Sequence, residues 1–310
     1  MSVLLVVGEA EQATGWHEAL SAALPEEPVL LPGPQLDRNA VTVAVVAAPP
    51  AGALQGLPGL QLIQSLWAGV DGLLADATIP ETIRLARLVD PRLTASMVES
   101  VLLHVLSLHR RLPEYRAQQE RRIWRSLAQP TASDRRVSVL GLGELGAAAA
   151  RALAGLGFAV SGWSRSDRTV PGVRCLSGPA GLTAVLDGCE ILVNLLPLTA
   201  ATERLLSAEL FDRLPRGAGL VNLGRGRHLV AADLLAALDG GQVGHAVIDV
   251  LAEEPARPDH PFWPHPGITL TPHVAAPSDR FSATRIAADA VRDLRAGRRV
   301  ANLVERRQGY

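Results

Sequence analysis

"GLGELG", residues 141–146, is the stretch on which the fold turns. Val137-Ser138-Val139-Leu140 before it reads as a short buried strand, and "AAAARALAGLG" (147–157) after it as a helix that closes on glycine. Between a strand and a helix the three glycines have separate uses. Gly141 permits the tight turn, Gly143 lets backbone approach a diphosphate, and Gly146 lets the helix pack on the strand. The diphosphate would then meet the helix N-terminus, where free N–H groups and the helix dipole favour an anion. Leu145 belongs to the same cofactor-lining turn. Glu144 would repel phosphates, so its carboxylate is expected to point to solvent.

Further along, residues 158–162 read as a second strand, followed by "GWSRSDR" (162–168). An acid at the end of this strand would hold the adenosine ribose and repel a 2′-phosphate. Ser164, Arg165 and Ser166 stand there instead. A guanidinium clamps a phosphate through charge-assisted hydrogen bonds, and the serine hydroxyls add donors. At about 1.5–3 kcal/mol each, one or two such bonds favour NADP over NAD by tenfold to a hundredfold or more. The expected cofactor is therefore NADPH, with NADH as the secondary alternative.

More strands are expected near 191–195, 218–222, 245–250 and 268–271, with helix-like segments between most of them, which makes a doubly wound parallel sheet of the Rossmann type. The first hundred residues alternate apolar runs (3–7, 41–47, 60–66) with helical or Pro/Gly-rich connections, a smaller α/β unit. Residues 95–112 form a long periodic helix, continued by the polar, helix-favouring 113–127. A last helix after Phe281 returns to the first unit. The expected domains are 1–97 with 281–310 for substrate, and 98–280 for the dinucleotide.

The 310-residue chain is 48% apolar with a formal net charge of −1, and its charges show no long run of one sign, so neither nucleic acid nor an acidic membrane is an expected partner. All 30 basic side chains other than histidine are arginine, which excludes lysine or Schiff-base catalysis. Cys175 and Cys189 have no metal-ligand spacing, and no metal is expected. The apolar start, "MSVLLVVGEA", lacks a basic segment and reads as a buried strand, so a cytoplasmic protein is expected.

Candidate chemistry lies in "VNLGRG" (221–226), "DVLAEEP" (249–255) and "TPHVAA" (271–276), each at or just after a strand end, where open α/β sheets gather ligands. Arg225 lies between two glycines, Glu254 precedes Pro255, and His273 follows Pro272. Singly, each reads as a surface or loop residue. Together with the glycine loop, and in this order, they resemble the D-isomer specific 2-hydroxyacid dehydrogenase family. "LLPLTAATERLLS" (195–207), "HPFWPHPGITLTPH" (260–273) and "SLWAGVDGLL" (65–74) extend the resemblance over nearly the whole chain. "RLVDPRLTASMVESV", "HRRLPEYRAQQERRIW" and the basic "WSRS" loop most resemble its glyoxylate/hydroxypyruvate reductase A branch.

The resemblance implies a flavodoxin-like substrate domain beside the Rossmann-type one, and a catalytic group of Arg225, Glu254 and His273. Arg225 would hold the carboxylate and polarise the carbonyl of a 2-oxoacid, and His273 would protonate the developing alkoxide, with Glu254 favouring its charged form. Backbone N–H groups of Ala68, Gly69 and Val70 would bind the substrate carboxylate, with Trp67 either narrowing the pocket or packing in the core. Asp249 would accept from the nicotinamide amide, while Leu196, Pro197, Thr202, Leu223 and Gly224, with Arg225 and His273, line the cofactor. A homodimer through the 98–127 helical region is also implied. Two alternatives stay open: the same enzyme acting on phosphoglycerate, formate or a larger oxoacid, and a cofactor-sensing binding protein of the same fold.

Overall fold

The computed structural model describes residues 1–309. The chain divides into two compact units, Met1–Leu93 with Ser278–Tyr310, and Thr94–Pro277.

The first unit carries five parallel strands, β1 (Ser2–Val7), β2 (Val29–Leu30), β3 (Val41–Ala47), β4 (Leu62–Ser65) and β5 (Arg84–Ala86), in the order β2-β1-β3-β4-β5. That order is flavodoxin-like. Every residue of β3 is buried, as expected of a central parallel strand covered on both faces. Two helices of this unit, α1 (Ala10–Ala23) and α2 (Asp71–Ala75), follow β1 and β4. β2 and β5 are not expected from the sequence, because strands of two and three residues carry almost no periodicity.

The second unit begins within α3 (Pro91–His109), which is followed by α4 (Leu112–Glu120). The continuous helix expected over 95–127 is thus interrupted. Arg111 is left-handed, Pro113 takes the first turn of α4, and a second left-handed residue, Arg122, ends it. A proline fits the first turn of a helix but cannot donate into the interior of a longer one.

Seven parallel strands follow: β6 (Arg136–Leu140), β7 (Ala159–Ser164), β8 (Arg174–Ser177), β9 (Ile191–Asn194), β10 (Ala218–Asn222), β11 (Val243–Ile248) and β12 (Ile268–Leu270). Their order is β12-β11-β10-β9-β6-β7-β8, so β6 and β9 are neighbours although two strands separate them in the chain. The winding direction reverses there, and ligands of open α/β sheets bind at such a switch. Helices α5 (Glu144–Gly155), α6 (Gly178–Leu186), α7 (Ala208–Phe211) and α8 (Ala231–Asp239) connect the strands. α5 and α8 each end in a left-handed glycine, Gly157 and Gly241. The amides of Phe158 and Gln242 reach back to Leu153 and Ala237, closing both helices as Schellman motifs.

The last helix, α9 (Arg280–Arg295), belongs to the first unit, where Arg292 and Arg295 pair with Glu26 and Glu27. Among the described residues no helix is long and apolar enough to cross a membrane.

Candidate active site

The glycine turn has the geometry its sequence predicts. Gly141 has φ +98° and donates to the Trp163 carbonyl at 2.8 Å. A Cβ on Gly146 would stand 1.7 Å from the Gly141 carbonyl oxygen, so helix and turn touch backbone to backbone. A Cβ on Gly143, by contrast, would meet nothing within 4 Å. Gly143 caps α5, whose first amides have no helical acceptor, so open space faces an N-terminus suited to a diphosphate. The residues fit a dinucleotide. Glu144 is exposed, Leu145 half-buried.

At the end of β7, the Ser164 hydroxyl is buried and donates to the Ser166 carbonyl at 2.7 Å. Its proton is engaged in shaping the turn, while Arg165 and Ser166 are exposed beyond it.

The loops that follow β10, β11 and β12 leave one edge of the sheet, because the three strands are parallel neighbours. Backbone hydrogen bonds join them. The Asp249 amide donates to Asn222 O at 3.1 Å, and the His273 amide donates to Asp249 O at 2.8 Å. A Cβ on Gly226 would fall 1.8 Å from the Leu251 carbonyl carbon, so the loop carrying Arg225 lies directly on the loop carrying Glu254. Glu254 accepts the Leu251 amide on Oε1 at 2.8 Å and faces His273 Nδ1 with Oε2, also at 2.8 Å. The His273 side chain is half exposed, and Nε2 is the ring nitrogen that does not face Glu254.

His273 has φ +53°, an uncommon region for a residue other than glycine. The bonds that hold it there come from Asp249. Its carboxylate is 2% exposed and accepts from the Thr271 hydroxyl (2.6 Å), the Val274 amide (3.0 Å) and the Ala275 amide (3.0 Å). Asp249 thus clamps the histidine loop, and Oδ2, with one of these donors, keeps acceptor capacity for a carboxamide.

Arg225 is half-buried and donates from Nη1 to the Gly224 carbonyl at 2.8 Å. Thr202 is buried and donates its hydroxyl to Pro197 O at 2.7 Å, so it shapes the 197–202 turn instead of presenting that proton to a ligand. Leu196 and Leu223, expected to line the cofactor, have buried side chains. Asn194, Asn222 and His228, all 0% exposed, stand outside the site residues expected from the sequence. Asn194 Nδ2 donates to Asn222 Oδ1 and to His228 Nδ1, both at 2.9 Å. Neither cysteine enters the site, and burial pushes the Cys189 thiol up to about 11.

In the first unit, the loop after β4 is folded by Ser65, whose Oγ accepts the Trp67 amide at 3.0 Å and donates to the Trp67 carbonyl at 2.9 Å. Trp67 is exposed and Val70 buried, while Ala68 and Gly69 are half-buried. Among the described residues, the amides of 68, 69 and 70 find no hydrogen-bond acceptor.

Residues 102–275 match the model of the D-isomer specific 2-hydroxyacid dehydrogenase NAD-binding domain. A glyoxylate/hydroxypyruvate reductase A of Serratia proteamaculans (strain 568) is 39% identical over 303 residues, covering 96% of both chains. The chain belongs to the D-isomer specific 2-hydroxyacid dehydrogenase family. Its fold matches a family member from Xanthobacter autotrophicus Py2 in complex with NADPH and MES, with TM-score 0.94, 38% identity and full coverage of both chains. An NADPH-dependent glyoxylate/hydroxypyruvate reductase of Sinorhizobium meliloti, in complex with NADP and sulfate, matches with TM-score 0.93 at 36% identity, again over both whole chains. The protein is an NAD(P)-dependent oxidoreductase.

Proposed function

We propose that this dehydrogenase reduces a small 2-oxoacid of the glyoxylate or hydroxypyruvate type to the D-2-hydroxyacid, with NADPH as the reductant. The observation that carries this reading is the Glu254–His273 pair, tied through Leu251 and Asp249 to the loop that presents Arg225. The bound cofactor supplies hydride to the carbonyl carbon. Gly141, Gly143 and Gly146 seat its diphosphate, Arg165 and Ser166 hold the 2′-phosphate, and Asp249 takes the carboxamide. His273 donates the proton that the new alkoxide needs, and the Glu254 carboxylate holds the imidazole in place through Nδ1. Arg225 pairs with the carboxylate and polarises the carbonyl. Within the first unit, the open amides of Ala68, Gly69 and Val70 are three donors of the kind that a carboxylate takes.

In this reading residues 1–97 with 281–310 serve the substrate and 98–280 the dinucleotide. The active form is a homodimer built on the 98–127 segment, where Leu103, Leu106, Leu112, Ile123 and the fully exposed Trp124 present apolar surface. Two free thiols suit the reducing cytoplasm.

The test is NADPH oxidation with glyoxylate, hydroxypyruvate, pyruvate and longer 2-oxoacids. The first two should give the highest kcat/KM, and hydroxypyruvate should yield D-glycerate on chiral analysis. A preference for the longer acids would overturn the substrate assignment, and light scattering that returns a monomer mass would overturn the dimer.

A further inference from the structure

Three fully buried polar side chains lie beneath the Arg225 loop, and their hydrogen bonds assign one another. The Leu196 amide donates to Asn194 Oδ1 (3.3 Å), which fixes the orientation of that carboxamide. Its Nδ2 then donates to Asn222 Oδ1 and His228 Nδ1, both at 2.9 Å. Asn222 Oδ1 also accepts the Gly224 amide, and Asn222 Nδ2 donates to the Arg225 carbonyl, both at 3.3 Å. The Arg225 amide donates to His228 Nδ1 at 3.1 Å. Two N–H groups therefore point at Nδ1, so Nδ1 carries no hydrogen. Nε2, 3.2 Å from Pro197 O, must carry it and donate.

A neutral imidazole in a single tautomer thus links two segments placed at the ligand-binding edge of the sheet. One nitrogen accepts the backbone amide of Arg225. The other donates to the carbonyl of Pro197, the same oxygen that takes the Thr202 hydroxyl at 2.7 Å. With Asn222 on the Arg225 carbonyl, the peptide groups on both sides of that residue are held by buried donors or acceptors. A Cβ at Gly224 would stand 2.9 Å from Asn194 Nδ2 and 3.2 Å from His228 Nδ1, so the loop also rests on the network by contact. Buried polar groups that are fully satisfied hold a unique geometry, and any partner left over is costly.

We infer that His228 is a positioning residue of this enzyme: through Nδ1 it fixes the Arg225 backbone and hence the aim of the guanidinium, and through Nε2 it fixes the Pro197–Thr202 turn on the cofactor side. The inference rests on the 2-oxoacid reductase reading for its kinetic consequences. The two nitrogens give it separable predictions, because asparagine places an oxygen where Nδ1 stands and glutamine places an amide N–H where Nε2 stands.

His228→Asn should keep the acceptor for Arg225 and lose the bond to Pro197. Its KM for NADPH should rise severalfold, while its KM for glyoxylate stays near that of the parent enzyme. His228→Gln should do the reverse, raising KM for glyoxylate about tenfold, the worth of one or two hydrogen bonds, with KM for NADPH little changed. Equal losses on both substrates in both variants, or a uniform fall in kcat, would overturn the inference and leave His228 a core residue. The parent enzyme separates this from the wider reading. If it fails to oxidise NADPH with any short 2-oxoacid, the proposed function falls, and the tautomer is still tested by the 15N shifts of the His228 ring. A resonance absent from His228→Asn that shows a protonated Nε2 and bare Nδ1 upholds the network, and the opposite tautomer or a mixture refutes it.

Discussion

Nδ1 of His273 lies 2.8 Å from Oε2 of Glu254, and the other oxygen of that carboxylate accepts the Leu251 amide. The carboxylate is therefore aimed by backbone, and the imidazole is aimed by the carboxylate. Glu254→Gln retains an oxygen for Leu251 and removes the negative charge, so it separates charge from position. No negative charge then faces the imidazole as it gives up its proton, and kcat should fall by about tenfold or more. His273→Ala removes the proton donor itself and should cost about 10²–10⁴-fold in kcat. In both variants NADPH binding, followed by fluorescence, should survive. Unchanged turnover in His273→Ala would remove the histidine from the chemistry.

Cofactor choice is expected to rest on one exposed guanidinium. Because the Ser164 hydroxyl is committed to the Ser166 carbonyl, the burden falls on Arg165 and, beside it, the Ser166 hydroxyl. Arg165→Asp puts a carboxylate where a 2′-phosphate would come. It should lower the ratio of kcat/KM for NADPH to that for NADH by about tenfold to a hundredfold or more, the value of one or two charge-assisted bonds. A ratio that does not move would place 2′-phosphate recognition elsewhere.

Two glycines of the same turn should respond in opposite ways. A methyl group at Gly143 meets nothing in the chain, so Gly143→Ala should melt near the parent Tm yet bind NADPH at least about tenfold more weakly, because the methyl occupies diphosphate space. A methyl at Gly146 would overlap the Gly141 carbonyl, so Gly146→Ala must move backbone and should lose stability before binding is even measured. Scanning calorimetry together with NADPH titration checks both. Unimpaired NADPH binding by Gly143→Ala would put the diphosphate somewhere else.

The contrast between those glycines marks what a sequence discloses. Spacing alone gives the strand, turn and helix around 141–146, because each glycine answers a local backbone need. The edge strand β8 (Arg174–Ser177) passed unread because its residues are exposed or half-buried and show no apolar alternation. Arg225, Glu254 and His273 were readable only as a joint pattern, since no local rule ties residues so far apart. The buried network was hidden for a different reason. Asn194 and Asn222 look like polar strand ends, and His228 like a loop histidine, until register pairs the two asparagines across β9 and β10. The one clue in the sequence was the repeated "LVNL" at 192–195 and 220–223, which puts the same amide at the end of two strands.

Stability should depend on pH through histidines outside the proposed chemistry. Desolvation holds His104, His109 and His245 below the ordinary imidazole value; for His104 the nearby Asp249 works against this, and for His109 the Arg135 and Arg110 charges reinforce it. In the unfolded chain these rings titrate near ~6.5. As pH falls below that value, the unfolded state takes up protons that the folded state refuses, so stability declines with acidification until the folded pKa values are reached. Above the unfolded value the contribution is complete and flat. The lowered carboxyls of Asp76 and Asp279 act with the same sign, but only in the more acidic range below ordinary carboxylate values. His109 isolates the effect, because it is 3% exposed, its ring packs edge-on against Phe158 at 5.0 Å, and among the described residues its Nδ1 has no hydrogen-bond partner. His109→Phe keeps an aromatic ring there and removes both the titration and the unpaired nitrogen. Urea melts between pH 5 and 8 should show the parent protein gaining stability up to about pH 7 and the variant gaining less over the same range. At pH 5 the variant should be the more stable by about 1 kcal/mol or more, the cost of one buried unpaired polar atom. If the two proteins keep parallel profiles, proton uptake at residue 109 plays no part in acid unfolding.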